Sequence, residues 1–124
     1  EKDIENIVIP EVERNYGEVT HLLIDWDDVF EVTKSQYFVY YYSVNCSHCS
    51  EMKNWIIEQA LNRDDIFFVK GSAKDKLRND ITGTVSATKV EDIAILGYPS
   101  CIEFKDKKVA KNVAGKSKII QLLS

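Results

Sequence analysis

Apolar runs alternate with polar breaks along the chain, and the runs differ in period. Residues 19–24, VTHLLI, favour a strand by their β-branched and aliphatic content. Asp25 or Asp27 then caps a short helix over 26–35, because a carboxylate there accepts free backbone N–H groups. Val29, Phe30 and Val32 supply its apolar side. Residues 37–44, YFVYYYSV, are apolar on both alternating faces, the mark of a central strand covered on two sides. Tyrosine stands there where aliphatics are usual, so hydroxyls must find partners or reach solvent. A helix opens at NCSHCS, residues 45–50. Cys49, Met52, Ile56 and Ala60 fall at helical spacing on one stripe, which Trp55 and Ile57 widen and Asn62 closes.

Residues 66–70, IFFVK, form another strand. Residues 71–89 are polar and punctuated by Gly, Ser and Thr, which predicts a loop with one helical turn near 74–79. A short helix over 90–95 precedes Gly97-Tyr98-Pro99. Residues 100–104 and 108–113 make a hairpin about KDKK, and 116–123 a last helix with Ile119, Ile120 and Leu123 inward. Residues 1–18 are charged apart from an apolar island at 7–9 closed by Pro10, and read as an N-terminal extension without chemistry. Residues 19–124 then form one domain. Alternation first and a hairpin last predict an α/β class, with a mixed central sheet and helices on both faces.

Composition narrows the function. The 124 residues are 44% hydrophobic and 29% charged, ordinary for one globular domain. A net charge of -4 argues against nucleic acid as a partner, since phosphates demand basic clusters. The one dense basic run, Lys105, Lys107, Lys108 and Lys111, is a solvated hairpin edge. No apolar run reaches the roughly 18 residues of a membrane helix. The chain begins at Glu1, so the expectation is an extracytoplasmic protein whose leader or anchor is absent here, with a cytoplasmic home as the alternative.

The chemistry sits in Cys46-Ser47-His48-Cys49. Two cysteines three apart at a strand-to-helix junction can close a small disulfide ring. Cys46 at the helix start meets free N–H groups and the positive end of the dipole, which stabilise an anion. That placement lowers a thiol pKa from about 8.5 into the range of roughly 3.5–7.5, and the thiolate is the nucleophile in exchange. Cys49 lies a turn inward, shielded. His48 can donate a hydrogen bond or a charge to the Cys46 thiolate, stabilising the reduced form and making the disulfide more oxidising. Glu51 opposes this by its charge. Two other readings stay open: half of a metal site, or a structural pair. Zinc normally takes four ligands, and only His21 remains beyond Cys46, His48 and Cys49. Cys101 reads as a small core thiol, with a regulatory thiol as the alternative. His21, Trp26 and Trp55 read as structural, and Asp25, Asp27 and Asp28 as caps and solvated charge.

Cys-x-x-Cys after a buried strand, followed by Gly97-Tyr98-Pro99-Ser100, resembles the thioredoxin fold over residues 19–124. The resemblance implies a thiol–disulfide oxidoreductase in which Cys46 attacks substrate and Cys49 resolves the mixed disulfide. It also implies a cis Tyr98–Pro99 bond facing the pair, with the Tyr98 backbone holding a substrate strand. Ser47, Tyr98 and Pro99 then line the substrate side. Histidine between the cysteines is similar to disulfide isomerases and DsbA-type oxidases. The family's buried aspartate is replaced by Tyr40, its tryptophan before the first cysteine by Asn45, and its kinking proline by Asn54. These departures turn the expectation towards oxidation and isomerisation, with reduction, or a non-catalytic accessory module, as alternatives. The Lys/Asn/Ile-rich chain is also similar to the bacteriocin transport accessory proteins of Gram-positive bacteria. The implied partners are protein or peptide thiols and disulfides and a redox partner that recycles the pair. The expected protein is a monomer without metal or cofactor.

Overall fold

The computed structural model describes residues 13–71 and 77–124. Four strands form one mixed sheet in the order β2-β1-β3-β4. They are β1 (Gln36–Tyr42), β2 (Ile66–Lys70), β3 (Ser100–Lys105) and β4 (Lys108–Ala114). The two α-helices are α1 (Ser47–Leu61) and α2 (Lys116–Leu123). β1 runs parallel to β2 and antiparallel to β3, and β3 pairs antiparallel with β4.

β1 is central and dry on both sides, as its uninterrupted apolar run requires. Phe38, Tyr40 and Tyr42 pack towards α1 and α2, with Met52, Ile56, Ile119 and Ile120. Tyr37, Val39 and Tyr41 pack on the opposite face with Trp26, Val29, Ile93 and Ile95. Full burial of such side chains contributes about 1.5–3 kcal/mol each. Both α-helices lie on the first face. The second is covered by short 3-10 turns, Trp26–Asp28 and Val90–Asp92, and the segments that follow them.

Three sequence expectations fail locally. Residues 19–24 are not a strand: Tyr16–Leu22 is a 3-10 helix, and only Leu23 bridges Phe68. The Asn15 side chain accepts from the Gly17 amide at 2.7 Å, and Glu18 accepts from the Asn15 amide at 2.9 Å. This local capping outweighs the β-propensity of Val19 and Thr20. Residues 26–35 are not a full helix but the single turn Trp26–Asp28, and Asp25 makes no side-chain cap bond. The carbonyls of Phe30 and Val32 instead accept from Lys107 Nζ at 3.2 and 2.8 Å, which ties them to the hairpin turn. The helix over 90–95 shrinks to Val90–Asp92, because Ile95 leaves it to bridge Leu77. Of the turn expected near 74–79, residues 74–76 lie outside the described residues. Arg78 bonds the Ile95 carbonyl at 2.9 Å rather than a helical neighbour.

One contact with no sequence signature anchors the far end. Arg63 donates to both Asp65 carboxylate oxygens at 2.9 Å and to the Leu123 carbonyl at 2.7 Å. Its guanidinium also lies 5.4 Å from the Phe38 ring centroid. Such bidentate, charge-assisted pairs hold geometry better than single contacts.

Candidate active site

Sheet register alone brings the site together. Tyr41 pairs with Ser100, so the C-terminal end of β1 meets the N-terminal end of antiparallel β3. Parallel β2 ends beside it, with Tyr42 opposite Lys70. The segment leading from β1 to Cys46, the start of β3 at Pro99, and Gly71 after β2 therefore converge at one edge. The Gly71 amide donates to the Tyr42 carbonyl at 2.6 Å.

Cys46 is the N-cap of α1 and has extended backbone. Its Sγ accepts from the Cys49 amide at 3.2 Å, a place usually filled by a serine or aspartate oxygen. The same sulfur donates its S–H to the Tyr98 carbonyl at 3.3 Å. The Tyr98–Pro99 peptide bond is cis. Cys46 is half-buried, whereas Cys49 is 2% exposed. Burial first, then its hydrogen bond to Cys46, pushes the Cys49 thiol up to about 12. The two sulfurs thus have opposite settings: one reachable and capped by an amide, the other dry and held as a thiol. All three cysteines are free.

Ser47 is exposed as the first residue of α1, Tyr98 is half-buried, and Pro99 is buried. The His48 side chain is 71% exposed, and its Nδ1 stands 3.8 Å from Glu51 Oε2. Cys101 is fully buried in β3 opposite Tyr40, and burial drives its thiol well above the ordinary range. His21 is exposed in the last turn of its 3-10 helix, while Trp26 and Trp55 are buried. Among the described residues no group of three or more His, Cys, Asp or Glu gathers to hold a metal. Among them, too, no helix is long and apolar enough to cross a membrane.

Sequence reasoning missed two contributors, Gly71 and Tyr16, and named a third, Tyr40, only as the residue at the family's aspartate position. Gly71 leaves room for Tyr98: a Cβ there would stand 2.8 Å from the Tyr98 ring and 3.1 Å from the Tyr42 carbonyl. Tyr16 stacks face-on against Tyr42, centroids 4.0 Å apart, and packs against the cluster holding Cys46 and Cys49. Tyr40, which Tyr42 stacks upon at 6.4 Å, is fully buried in that cluster. The expectation that buried tyrosine hydroxyls find partners holds for Tyr37, which donates to the Val29 carbonyl at 2.5 Å. It fails for Tyr40, whose hydroxyl has no hydrogen-bond partner among the described residues, and the Tyr16 hydroxyl, outside that strand, has none there either. An unpaired buried hydroxyl costs about 1–3 kcal/mol. The pattern of Tyr16, in a polar segment, offers no signal for this position.

No protein-family model matches the chain, and no curated protein matches it. Solved structures do. Thioredoxin f2 of Chlamydomonas reinhardtii superposes with a TM-score of 0.52 at 18% identity, covering 82% of this chain and 92% of that one. Spinach chloroplast thioredoxin f, long form, gives 0.55 at 17% identity, covering 92% and 93%. Oxidized mitochondrial thioredoxin 3 of Saccharomyces cerevisiae gives 0.53 at 12%, covering 85% and 94%. The chain therefore has the α/β thioredoxin fold.

Proposed function

We propose that the protein is a thiol–disulfide oxidoreductase that exchanges disulfides with protein or peptide substrates through Cys46 and Cys49. The carrying observation is the half-buried Cys46 Sγ, which takes the Cys49 amide and faces the Tyr98 carbonyl. An anionic sulfur there keeps the amide bond and the helix N-terminus. When the S–H proton leaves, the Tyr98 carbonyl loses its donor, and a substrate backbone N–H fits that vacated acceptor. The site then offers an incoming peptide a main-chain anchor beside the nucleophile, with Ser47 and Pro99 flanking it.

In the oxidising direction a substrate thiolate attacks Cys46 in the Cys46–Cys49 disulfide. The S–S bond breaks, a mixed disulfide forms on Cys46, and the electron pair leaves on Cys49. A second substrate thiolate then displaces Cys46, which departs as a thiolate. The substrate loses two electrons and the pair gains them. We place the physiological direction towards oxidation and isomerisation, and the protein outside the cytosol, where such chemistry persists. A redox partner must restore the disulfide. His48 tunes the pair when its side chain leaves Glu51 for the sulfur. The same fold with an idle pair, as a binding module, is the alternative reading.

Replacing Cys46 by serine separates them. The variant should lose both insulin reduction and oxidative refolding of a reduced model substrate, with its fold intact by circular dichroism. Unchanged activity would show that the pair does no exchange.

A further inference from the structure

Charge is unevenly placed along this chain. Residues 107–124 hold lysines at 107, 108, 111, 116 and 118 and no acidic residue. The whole chain carries -4 and this stretch +5, which leaves -9 on residues 1–106. β4 and α2 are therefore a basic end on an otherwise acidic protein. Such asymmetry points to a partner of the opposite sign.

That end is shaped as well as charged. An open groove of about 430 Å³ lies between β4 and α2, lined by Lys111, Val113, Lys118, Gln121 and Leu122. Lys111 and Lys118 are exposed and Val113 and Leu122 half-buried, so two cations share the groove with an apolar floor. Among the described residues neither lysine makes an ion pair. The acid opposite Lys111 in the sheet register, Glu103, is buried and accepts from Gln36 Nε2 at 2.6 Å. Lys107, by contrast, is spent on the carbonyls of Phe30 and Val32. β4 is also a terminal strand of the sheet. Among the described residues, Ser86 and Ala87 bond its backbone at Val109, and no backbone group from outside the sheet bonds 111–114.

We propose that the groove between β4 and α2 docks an extended acidic segment of a partner protein, with carboxylates at Lys111 and Lys118 and an aliphatic side chain against Val113 and Leu122. Main-chain bonds to the uncovered length of β4 supply affinity, and the groove supplies specificity. Surface ion pairs are weak singly, so the apolar floor and the strand edge carry what charge alone does not. Nucleic acid fits less well, because a phosphate backbone needs a run of cations and this floor is aliphatic. A membrane surface fits less well too, because Ile119, Ile120 and Leu123, the apolar side of α2, are buried in the core. The Gly115 amide, just past β4, donates to the Pro99 carbonyl at 3.0 Å, so the docked strand edge leads towards the cysteine pair. Docking itself does not depend on exchange by that pair.

Two short, dye-labelled, end-blocked peptides are the probes. One alternates glutamate with valine and leucine; the other has lysine for each glutamate. Fluorescence anisotropy gives affinities, and amide chemical shifts locate the site. The glutamate peptide should bind, the lysine peptide should not, and the shifts should gather at Val113, Gln121 and Leu122. Lys111→Glu combined with Lys118→Glu should weaken the glutamate peptide by about tenfold, the scale for two reversed surface pairs, and admit the lysine peptide. If that variant does not fold, Lys118→Gln stands in and should weaken binding by about threefold. Lys89→Glu, exposed and outside the groove, and Cys46→Ser should both bind as the parent does. No binding of the glutamate peptide, equal binding by parent and groove variant, or shifts confined elsewhere overturns the proposal and leaves β4 an edge merely guarded by lysine. Plain polyglutamate binding as tightly as the alternating peptide overturns it by removing the apolar floor. Tighter binding of a DNA duplex or of phosphatidylglycerol vesicles, lost in the groove variant, overturns it in favour of those partners.

Discussion

Two buried thiols make the reduced protein sensitive to alkali, and the size of the effect follows from their burial. Cys49 is 2% exposed and Cys101 is fully buried, so each thiolate is costly in the fold. Burial holds Cys49 up to about 12 and drives Cys101 up as well, against an ordinary value of 9.0. Unfolded chains therefore shed these protons at lower pH than folded ones. The stability the thiols contribute is complete below the ordinary thiol value, and drains away as pH climbs towards the folded value. Each thiol then removes about 1.4 kcal/mol per pH unit. At pH 10 the reduced protein should have lost about 2.8 kcal/mol relative to pH 8 through these groups.

Cys101→Ala isolates one of them. Deleting its sulfur costs about 1 kcal/mol at neutral pH, the scale for one buried group. The variant should lose about 1.4 kcal/mol less than the parent by pH 10, since one titrating thiol remains. Oxidising Cys46 to Cys49 in the parent removes the other and should flatten the profile by a similar amount. Urea unfolding at pH 7, 8, 9 and 10, read by circular dichroism, gives the slopes. Surface lysines titrate alike in parent and variant and cancel in the difference. Parallel profiles for the parent and Cys101→Ala would refute the reasoning, because burial of Cys101 would then have no energetic expression.

Two further outcomes bear on the exposed side of the site. Gly71→Ala should displace the Tyr98 ring, since the new Cβ would lie 2.8 Å from it. Overpacking of this kind costs about 1–3 kcal/mol. The variant should exchange insulin disulfides several-fold more slowly, and a parent-like rate with a parent-like melting temperature would mean that Tyr98 does not need its present seat. Glu51→Gln should free His48 from its 3.8 Å contact and raise the reduction potential. His48→Ala should lower it, each by about 10–30 mV on a scale where 30 mV is about 1.4 kcal/mol. Equilibration with glutathione measures both, and unmoved potentials remove His48 from the tuning of the pair.

Reading the chain alone located β1, α1, β2, the closing hairpin and α2, because each carries a period that only one environment satisfies. The double-sided apolar run of β1 demands cover on both faces, and the Cys49 to Ala60 stripe demands a helix. The pairing of Cys46 with Cys49 was equally legible, since three residues on a helix start bring two sulfurs together whatever surrounds them. The segments that escaped lie where local and distant bonds compete. Asn15 and Glu18 close a capping box that turns Val19 and Thr20 away from the sheet, and Lys107 draws off the carbonyls expected to build a helix after Trp26. Resemblance to the thioredoxin fold already implied Tyr98–Pro99 beside the pair; the sheet register is what brings the Tyr98 carbonyl to 3.3 Å from the sulfur of Cys46, 52 positions away. Only packing could bring Tyr16 beside a cysteine pair it does not resemble in pattern. Periodicity reports which side of an element avoids water. It carries no information about which distant atom will stand on that side.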